Sequence, residues 1–449
     1  MKNQRSPAAL GLENVWRLLL QYSIPSVIAM TASSLYNITD SIFIGHGVGA
    51  LAISGLAITF PLMNLAAAFG TLVGLGAANL MSLRLGQKDY TAANHILGNV
   101  IVLNLIFGIG YSVVVLIFLK PILYFFGASI HTISYAYEYM VIITLGNAIT
   151  HMYFGINALL RSMGNPTRAM FTIIYSVIIN AILTPLLIYG FELGIQGAAI
   201  ATIVSQVIMM IWQFRFLTNK NSFIHIKKGT FKLNRRIVTA SLSIGLAPFL
   251  MNAAMSAVII LINLGLTRYG GDLAVGAYGI INRVALLFLM IVMGLNQGMQ
   301  PIAGFNYGAN QLDRVNKVLK QTIMLATGVV MTGFLLVQLF PRAVASVFTT
   351  DQELIDIAIP GIRIVFATFP IIGFQMVASN FFQSIGKAGK AIFLALTRQT
   401  LFLTPCLLIL PMFFGVKGVW YSMPLADTLS SIVAGYLLIT EYRKQKIKV

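Results

Sequence analysis

"ITFPLMNLAAAFGTLVGLGAANLM", residues 58–81, contains no charged side chain. A helix rises 1.5 Å per residue, so about 20 such residues cross a bilayer core of about 30 Å. Residues 167–190 repeat the pattern, with Arg168 as their sole charge. Over its 449 residues the chain is 58% hydrophobic and 9% charged, with mean hydropathy +0.85. A soluble domain carries about 25% charged residues. The chain therefore reads as an all-α polytopic membrane protein.

The formal net charge of +18 would suit a nucleic-acid binder, but the placement of the charges argues otherwise. Basic residues gather at Lys2/Arg5/Arg17, Arg84/Lys88, Arg161/Arg168, Arg215 to Arg236, Arg314/Lys317/Lys320, Lys387/Lys390 and Arg443 to Lys448. The loops between these clusters hold little beyond Lys120, Arg268, Arg342 and Lys417. This alternation is the positive-inside pattern. It puts both termini in the cytoplasm and leaves no role for nucleic acid. The one cysteine, Cys406, can form no intramolecular disulfide. No cleavable signal peptide is expected, because the first apolar segment is too long, lacks an A-x-A-type site and is followed by many more spans.

Apolar runs and charged or Gly/Pro-rich breaks define twelve spans, at 16–45, 52–80, 91–119, 131–158, 166–190 and 195–217, then 236–267, 274–302, 314–340, 352–382, 390–411 and 418–441. The long polar connector 217–236 separates an N-terminal lobe, 1–216, from a C-terminal lobe, 237–449. The two halves are copies. "GALAISG" (49–55) matches "GDLAVGA" (271–277), Gly76 and Gly86 match Gly298 and Gly308, and "RSMGNPTRAMF" (161–171) matches "QSIGKAGKAIF" (383–393), all shifted by 222. Thr184-Pro185 and "GIQG" (194–197) match Thr404-Pro405 and "GVKG" (415–418) at shifts of 220 and 221. Six helices per copy, an even number, make the repeats parallel. The expected fold is twelve transmembrane helices in two six-helix lobes related by a pseudo-two-fold axis along the membrane normal, one of the plans used by secondary transporters.

An ionisable group inside the bilayer costs about 2.5–3.5 kcal/mol on insertion scales, so it usually faces an interior cavity and has a task. Of twelve acidic residues, two lie well inside spans, Asp40 and Asp427. With the orientation fixed, Asp40 sits about 8 Å below the outer end of its helix, Thr184 about 9 Å, Thr202 about 10 Å and Asn180 about 15 Å. Asn180 and Thr184 share a helix face. The four can meet in the outer half of the first lobe and offer a carboxylate, an amide oxygen and two hydroxyls. Such an all-oxygen set suits a hard cation such as Na⁺, and a desolvated carboxylate alone suits a proton. A buried carboxyl favours its neutral form and a neighbouring cation restores the charge, so either ion can exchange for the other. The bland reading is that Asn and Thr only satisfy helix–helix hydrogen bonds.

In the second lobe Arg283, Arg363 and Asp427 lie at similar depth, and an ion pair between Asp427 and one of these arginines is expected. His151 and Arg398 read as packing or cavity-lining groups toward the cytoplasmic half. Tyr135, Tyr137 and Tyr139 fit an interfacial aromatic belt. Pro25 removes a backbone bond and kinks the first helix, a hinge beneath Asp40. Further candidates for a substrate cavity are Tyr36, Asn37, Asn157 and Gln206, with Arg283 and Asp427.

The stretches "YNITDSIFIGHGVGALAISGLAITFP" (36–61), "GLGAANLMSLRLGQKD" (74–89), "LLRSMGNPTRAM" (159–170) and "GMQPIAGFNYGA" (298–309) resemble the multidrug and toxic compound extrusion (MATE) transporters, in their DinF-like or MepA-like branch, over essentially the full length. The resemblance implies an antiporter of the bacterial cytoplasmic membrane that exports amphipathic, often cationic compounds in exchange for H⁺ or Na⁺. It also implies a first helix bent at Pro25 and a cation site built from Asp40, Asn180, Thr184 and Thr202. The chain departs from the family at Thr184, where aspartate is common, which favours H⁺ over Na⁺. The acids that another branch carries on helices 7 and 10 are absent; Asn252, Asn263 and Gln375 occupy those regions.

The alternative is a flippase for lipid-linked saccharides of the same superfamily. Such proteins often carry several cavity arginines, whereas Asp40, Tyr36, Asn157 and many Met and Phe side chains suit a greasy cation better. An intramembrane enzyme is not expected, since no GxGD or HExxH sequence occurs. No cofactor is expected beyond the coupling ion, and the partners expected are small molecules and membrane lipid, around a monomer.

Overall fold

The computed structural model describes residues 8–219, 223–227 and 229–446; of residues 35–39, 50, 272, 445 and 446 it describes the backbone alone. Among the described residues every regular element is a helix. The first half holds α1 (Val15–Gly47), α2 (Ala50–Gly86), α3 (Tyr90–Phe125), α4 (Ile133–Leu145 and Asn147–Ser162), α5 (Pro166–Pro185, continued by Leu186–Gly190) and α6 (Gly194–Leu217). The second holds α7 (Arg235–Gly271), α8 (Leu273–Gly308), α9 (Leu312–Leu339), α10 (Gln352–Phe366 and Phe369–Ser384), α11 (Ala388–Phe414) and α12 (Val416–Lys446). Among the described residues nine of these are long and apolar enough to cross a membrane and the two bent pairs bring the number to eleven; α1, of 33 residues, is the twelfth helix. The helices overrun the predicted spans, α2 by six residues at Gly86. Hydropathy marks only the hydrocarbon layer, whereas backbone hydrogen bonding carries a helix on into the interface.

The internal repeat is visible in the backbone. Gly49 (φ 114°) and Gly271 (φ 66°), 222 residues apart, both take the left-handed region that lets the chain reverse between consecutive helices. Helix α4 bends by 54° at Gly146 and α10 by 50° near Thr368, again equivalent positions. The bends, read as straight spans in the sequence, have local causes. A Cβ on Gly146 would lie 2.3 Å from Ile203 of α6, so that side chain occupies the notch. Pro370, in the first turn after the second break, cannot donate to the helix preceding it. The two Thr-Pro pairs adjoin wider, π-type turns, Leu186–Gly190 after Pro185 and Thr397–Leu403 before Pro405. Thr404 Oγ1 donates to the Gln399 carbonyl at 2.9 Å there, satisfying a group that the altered winding leaves over.

Contacts divide the chain into two compact units that do not follow chain order. One contains Ile28–Phe249 and Gly304–Ala309; the other contains Asn14–Val27, Leu250–Ala303 and the helices after Asn310. Glycine explains the exchange. In the first unit a Cβ on Gly76 of α2 would lie 2.1 Å from the Ser241 carbonyl of α7. In the second, a Cβ on Gly298 of α8, its repeat partner, would lie 2.6 Å from the Ser23 nitrogen of α1. Each half thus packs its second helix backbone-to-backbone against the N-terminal part of the other half's first. Lipid is as apolar as leucine, so close van der Waals approach at small residues, rather than exclusion of water, holds such helices together. A core of the first unit, around the turn between α1 and α2, includes Ile44, Leu56, Leu119, Met140, Ile188 and Ile195. Tyr139 belongs to this core at 2% exposure, not to an interfacial belt; Tyr135 and Tyr137 remain partly exposed.

The linker is strapped to α3. Asn99 donates to the carbonyls of Thr230 (3.2 Å) and Lys232 (3.0 Å) and accepts from the Asn234 nitrogen at 2.8 Å. Asn94 accepts from the His225 nitrogen at 3.1 Å, and Phe223 stacks on Tyr90. Leaving such buried groups unpaired costs about 1–3 kcal/mol each. Asn99→Ala is therefore expected to speed tryptic cleavage at Lys227 and Lys232 by at least about tenfold, measured by limited proteolysis; an unchanged rate would show that the asparagine does not hold the strap.

Candidate ion-coupling site

Helix α5 carries Thr172, Ser176, Asn180 and Thr184 at four-residue intervals, so they form one stripe. All four are buried, at 0%, 7%, 1% and 0% exposure. An uncharged polar stripe buried along a membrane helix must find partners on its neighbours, and it does so on α1, α4 and α6.

Near the C-terminal end of α5 Thr184 Oγ1 donates to Asp40 Oδ1 at 3.2 Å. Asp40, on α1, is 4% exposed. One turn further in, Asn180 Nδ2 donates to Thr202 Oγ1 of α6 at 3.4 Å, and Thr202 Oγ1 donates to the Ala198 carbonyl at 3.0 Å. The structure therefore brings the four expected residues together as two pairs on consecutive turns of α5. Below them Ser176 Oγ bonds Ser205 Oγ at 3.3 Å, and Tyr153 Oη donates to the Thr172 carbonyl at 3.1 Å. Asn157 Nδ2 donates to Thr172 Oγ1 (2.5 Å) and to the Ala169 carbonyl (2.7 Å), and its Oδ1 accepts from the Arg161 guanidinium. A buried polar column thus runs through the first unit from Asp40 toward the C-terminal end of α4. Ser176, Ser205, Tyr153, Thr172 and Arg161 are not among the sequence candidates. The four-residue spacing from Thr172 to Thr184 is the signal that could have found the stripe.

The remaining candidates divide. Gln206 is 9% exposed and accepts from Thr150 Oγ1 at 2.6 Å, so it faces α4. Asn157, at 2% exposure, spends both ends of its amide inside the column. Pro25 lies within α1, as expected. The side chains of Tyr36 and Asn37 lie outside the described residues. In the second unit Asp427 is 2% exposed and is paired, but not by Arg283 or Arg363, both of which are exposed. Its partner is Arg398, whose Nε lies 2.5 Å from Oδ1. Arg398 stands in the π-type turn of α11, and such turns occur frequently at functional sites. Among the described residues no group of three or more His, Cys, Asp or Glu side chains could hold a metal ion. Asp40 is the one carboxylate among the described members of the column.

A twelve-helix membrane fold built from two repeats, with a buried carboxylate bonded to a hydroxyl on a neighbouring helix, is one of the plans of secondary transporters. The MatE family model matches residues 25–186 and 248–407, one match in each half; the chain belongs to the MatE family. It is 27% identical to the multidrug export protein MepA of Staphylococcus haemolyticus (strain JCSC1435), over 95% of this chain and 93% of that protein. It is equally 27% identical to MepA of Staphylococcus aureus (strain N315), over 97% and 95%. Among solved structures, the MATE multidrug transporter DinF-BH shares 34% identity, with TM-score 0.90 and 98% of each chain covered. A MATE structure described as the bent conformation superposes with TM-score 0.94 at 23% identity, over 99% of each chain, a likeness of fold.

Proposed function

We propose that this chain is a multidrug efflux antiporter of the bacterial cytoplasmic membrane, with both termini in the cytoplasm, that expels amphipathic, often cationic small molecules in exchange for H⁺. The observation that carries the reading is Asp40, a buried carboxylate held by Thr184 beside the Asn180–Thr202 pair. One carboxylate cannot hold a proton and counter a substrate cation at once. Competition for it therefore couples the two fluxes: the ionised form holds the cation, and protonation from outside releases it. The full-length likeness to MepA and DinF-BH supports the multidrug substrate class.

The choice of ion follows from charge. Asp40, Thr184, Thr202 and Asn180 offer Na⁺ one carboxylate, two hydroxyls and one amide, and Thr184 supplies a neutral oxygen where a second carboxylate would add charge. A proton needs the carboxylate alone. One H⁺ traded for one monovalent cation moves no net charge, so a membrane potential, worth about 2.3 kcal/mol per charge per 100 mV, should drive nothing. Each unit of pH difference supplies about 1.36 kcal/mol. In proteoliposomes, a pH gradient imposed without Na⁺ is expected to drive efflux of a monovalent cationic dye, with little change when the potential is clamped. Efflux driven only by a Na⁺ gradient at constant pH would overturn the proton assignment, and no response to either gradient would overturn antiport.

A further inference from the structure

We propose that the second unit carries a binding site for an anionic phospholipid between the cytoplasmic ends of α9 and α12. A cavity of about 420 Å³ opens there, within the range of about 300–1,000 Å³ typical of ligand sites. Its lining is graded along the helix axes. Arg443 and Asn316 lie about 4–6 Å from the ends of their helices, whereas Leu319, Leu438 and Ile439 lie about 10–12 Å in, at 1.5 Å per residue. Phe381 of α10, fully buried, completes the lining. Polar groups at headgroup depth above apolar groups at acyl depth match one phospholipid, with its phosphate outermost.

The charge has the complementary sign. Glu441 is the one acidic residue of the lining, and it is already paired with Lys387 and with Lys390, the latter at 2.7 Å. Its carboxylate is therefore outweighed before Arg443 is counted. Arg443 is exposed and forms no ion pair among the described residues, the next residue, Lys444, is exposed, and Lys320, which follows the lining residue Leu319, is exposed as well. Basic pockets between helices on the cytoplasmic side are the usual receptors for anionic headgroups. A neutral headgroup would leave the excess positive charge unanswered. A second protein is disfavoured because the deeper lining lies below the interface, where lipid tails are the available filler. The side on which this rim lies rests on the cytoplasmic placement of the C-terminus given above, but the binding chemistry does not.

The test uses the purified full-length protein in nanodiscs of mixed phosphatidylglycerol and phosphatidylcholine. Lipid retained after detergent stripping is counted by native mass spectrometry, so the result depends on neither transport nor orientation. The wild type is expected to retain phosphatidylglycerol preferentially. Arg443→Gln should lose about fivefold of that preference, the usual weight of one basic side chain near an anionic surface. Leu319→Trp, which fills the cavity, should reduce retention of both lipids. Retained dye efflux in both variants establishes that they are folded. Equal retention of the two lipids by the wild type would overturn the proposal, as would unchanged preference in Arg443→Gln. Displacement of the bound lipid by soluble glycerol phosphate would show that the site reads the phosphate alone, and would overturn the lipid assignment.

Discussion

Asp40→Asn is expected to reduce gradient-driven dye efflux to background, a loss of at least about 100-fold, with the protein still folded and inserted. The carboxamide has the shape of the carboxyl and retains an oxygen for the Thr184 hydroxyl, which now donates to Asp40 at 3.2 Å. The substitution removes only the ability to gain and lose a proton. Removing one of two coupled acids leaves partial function, but in this column the other described members are hydroxyls, amides, Tyr153 and Arg161, none of which exchanges a proton readily near neutral pH. A residue with a merely structural role would show the opposite pattern. Taking a carboxyl out of water is costly, so the neutral amide should melt at the same temperature as the wild type or slightly higher. Efflux from proteoliposomes, read beside a thermal melt in detergent, separates the two cases. Full efflux of a cationic dye such as ethidium by the variant would sink the mechanism.

What the sequence makes legible here is depth, and what it hides is direction. Counting residues from the helix ends places Asp40, Thr184, Asn180 and Thr202 within one or two turns of one another. The structure joins these four as Asp40–Thr184 and Asn180–Thr202. Depth counting fails for Asp427. Arg283 and Arg363 share its level but point elsewhere. Arg398, assigned to the cytoplasmic half, reaches it because a long side chain spans the axial gap and the wide turn at Thr397–Leu403 resets its angle around α11. Asn157 reads as cavity-lining because an amide in a span must have a partner; that the partners are Thr172, Ala169 and Arg161 depends on rotation about α4, which no hydropathy pattern records. The bends at Gly146 and Thr368 are hidden for a similar reason, since their cause at Gly146 is a side chain on another helix. The repeat fares better, because equivalent glycines are sequence letters with a direct backbone meaning. Gly49 and Gly271 turn the chain alike, and Gly76 and Gly298 admit a neighbouring backbone alike.

The same repeat frames the second large effect. A shift of 222 carries Ser176 onto Arg398, and the shift of 221 that aligns "GIQG" (194–197) with "GVKG" (415–418) carries Ser205 onto Ala426, next to Asp427. The first lobe joins its helices α5 and α6 by the neutral Ser176–Ser205 contact at 3.3 Å, and the second joins α11 and α12 by the Arg398–Asp427 ion pair at 2.5 Å. Breaking a buried ion pair from one side leaves an uncompensated charge and typically costs about 3–5 kcal/mol, whereas replacing both partners by well-packed residues of similar volume is often neutral. Asp427 at 2% exposure is the more deeply held partner, so Arg398→Ala, which strands it, should be the most damaging single change. The expected result is a marked fall in melting temperature and in yield. Asp427→Ser should cost less, because the Arg398 side chain keeps 25% of its surface exposed. Arg398→Ser with Asp427→Ser removes both charges, so it should be more stable than Arg398→Ala, with the cavity left by the arginine as the residual cost. A double variant as unstable as Arg398→Ala would show that the stranded charge is not what destabilises the single variant. If stability returns while efflux does not, the ion pair serves transport rather than the fold.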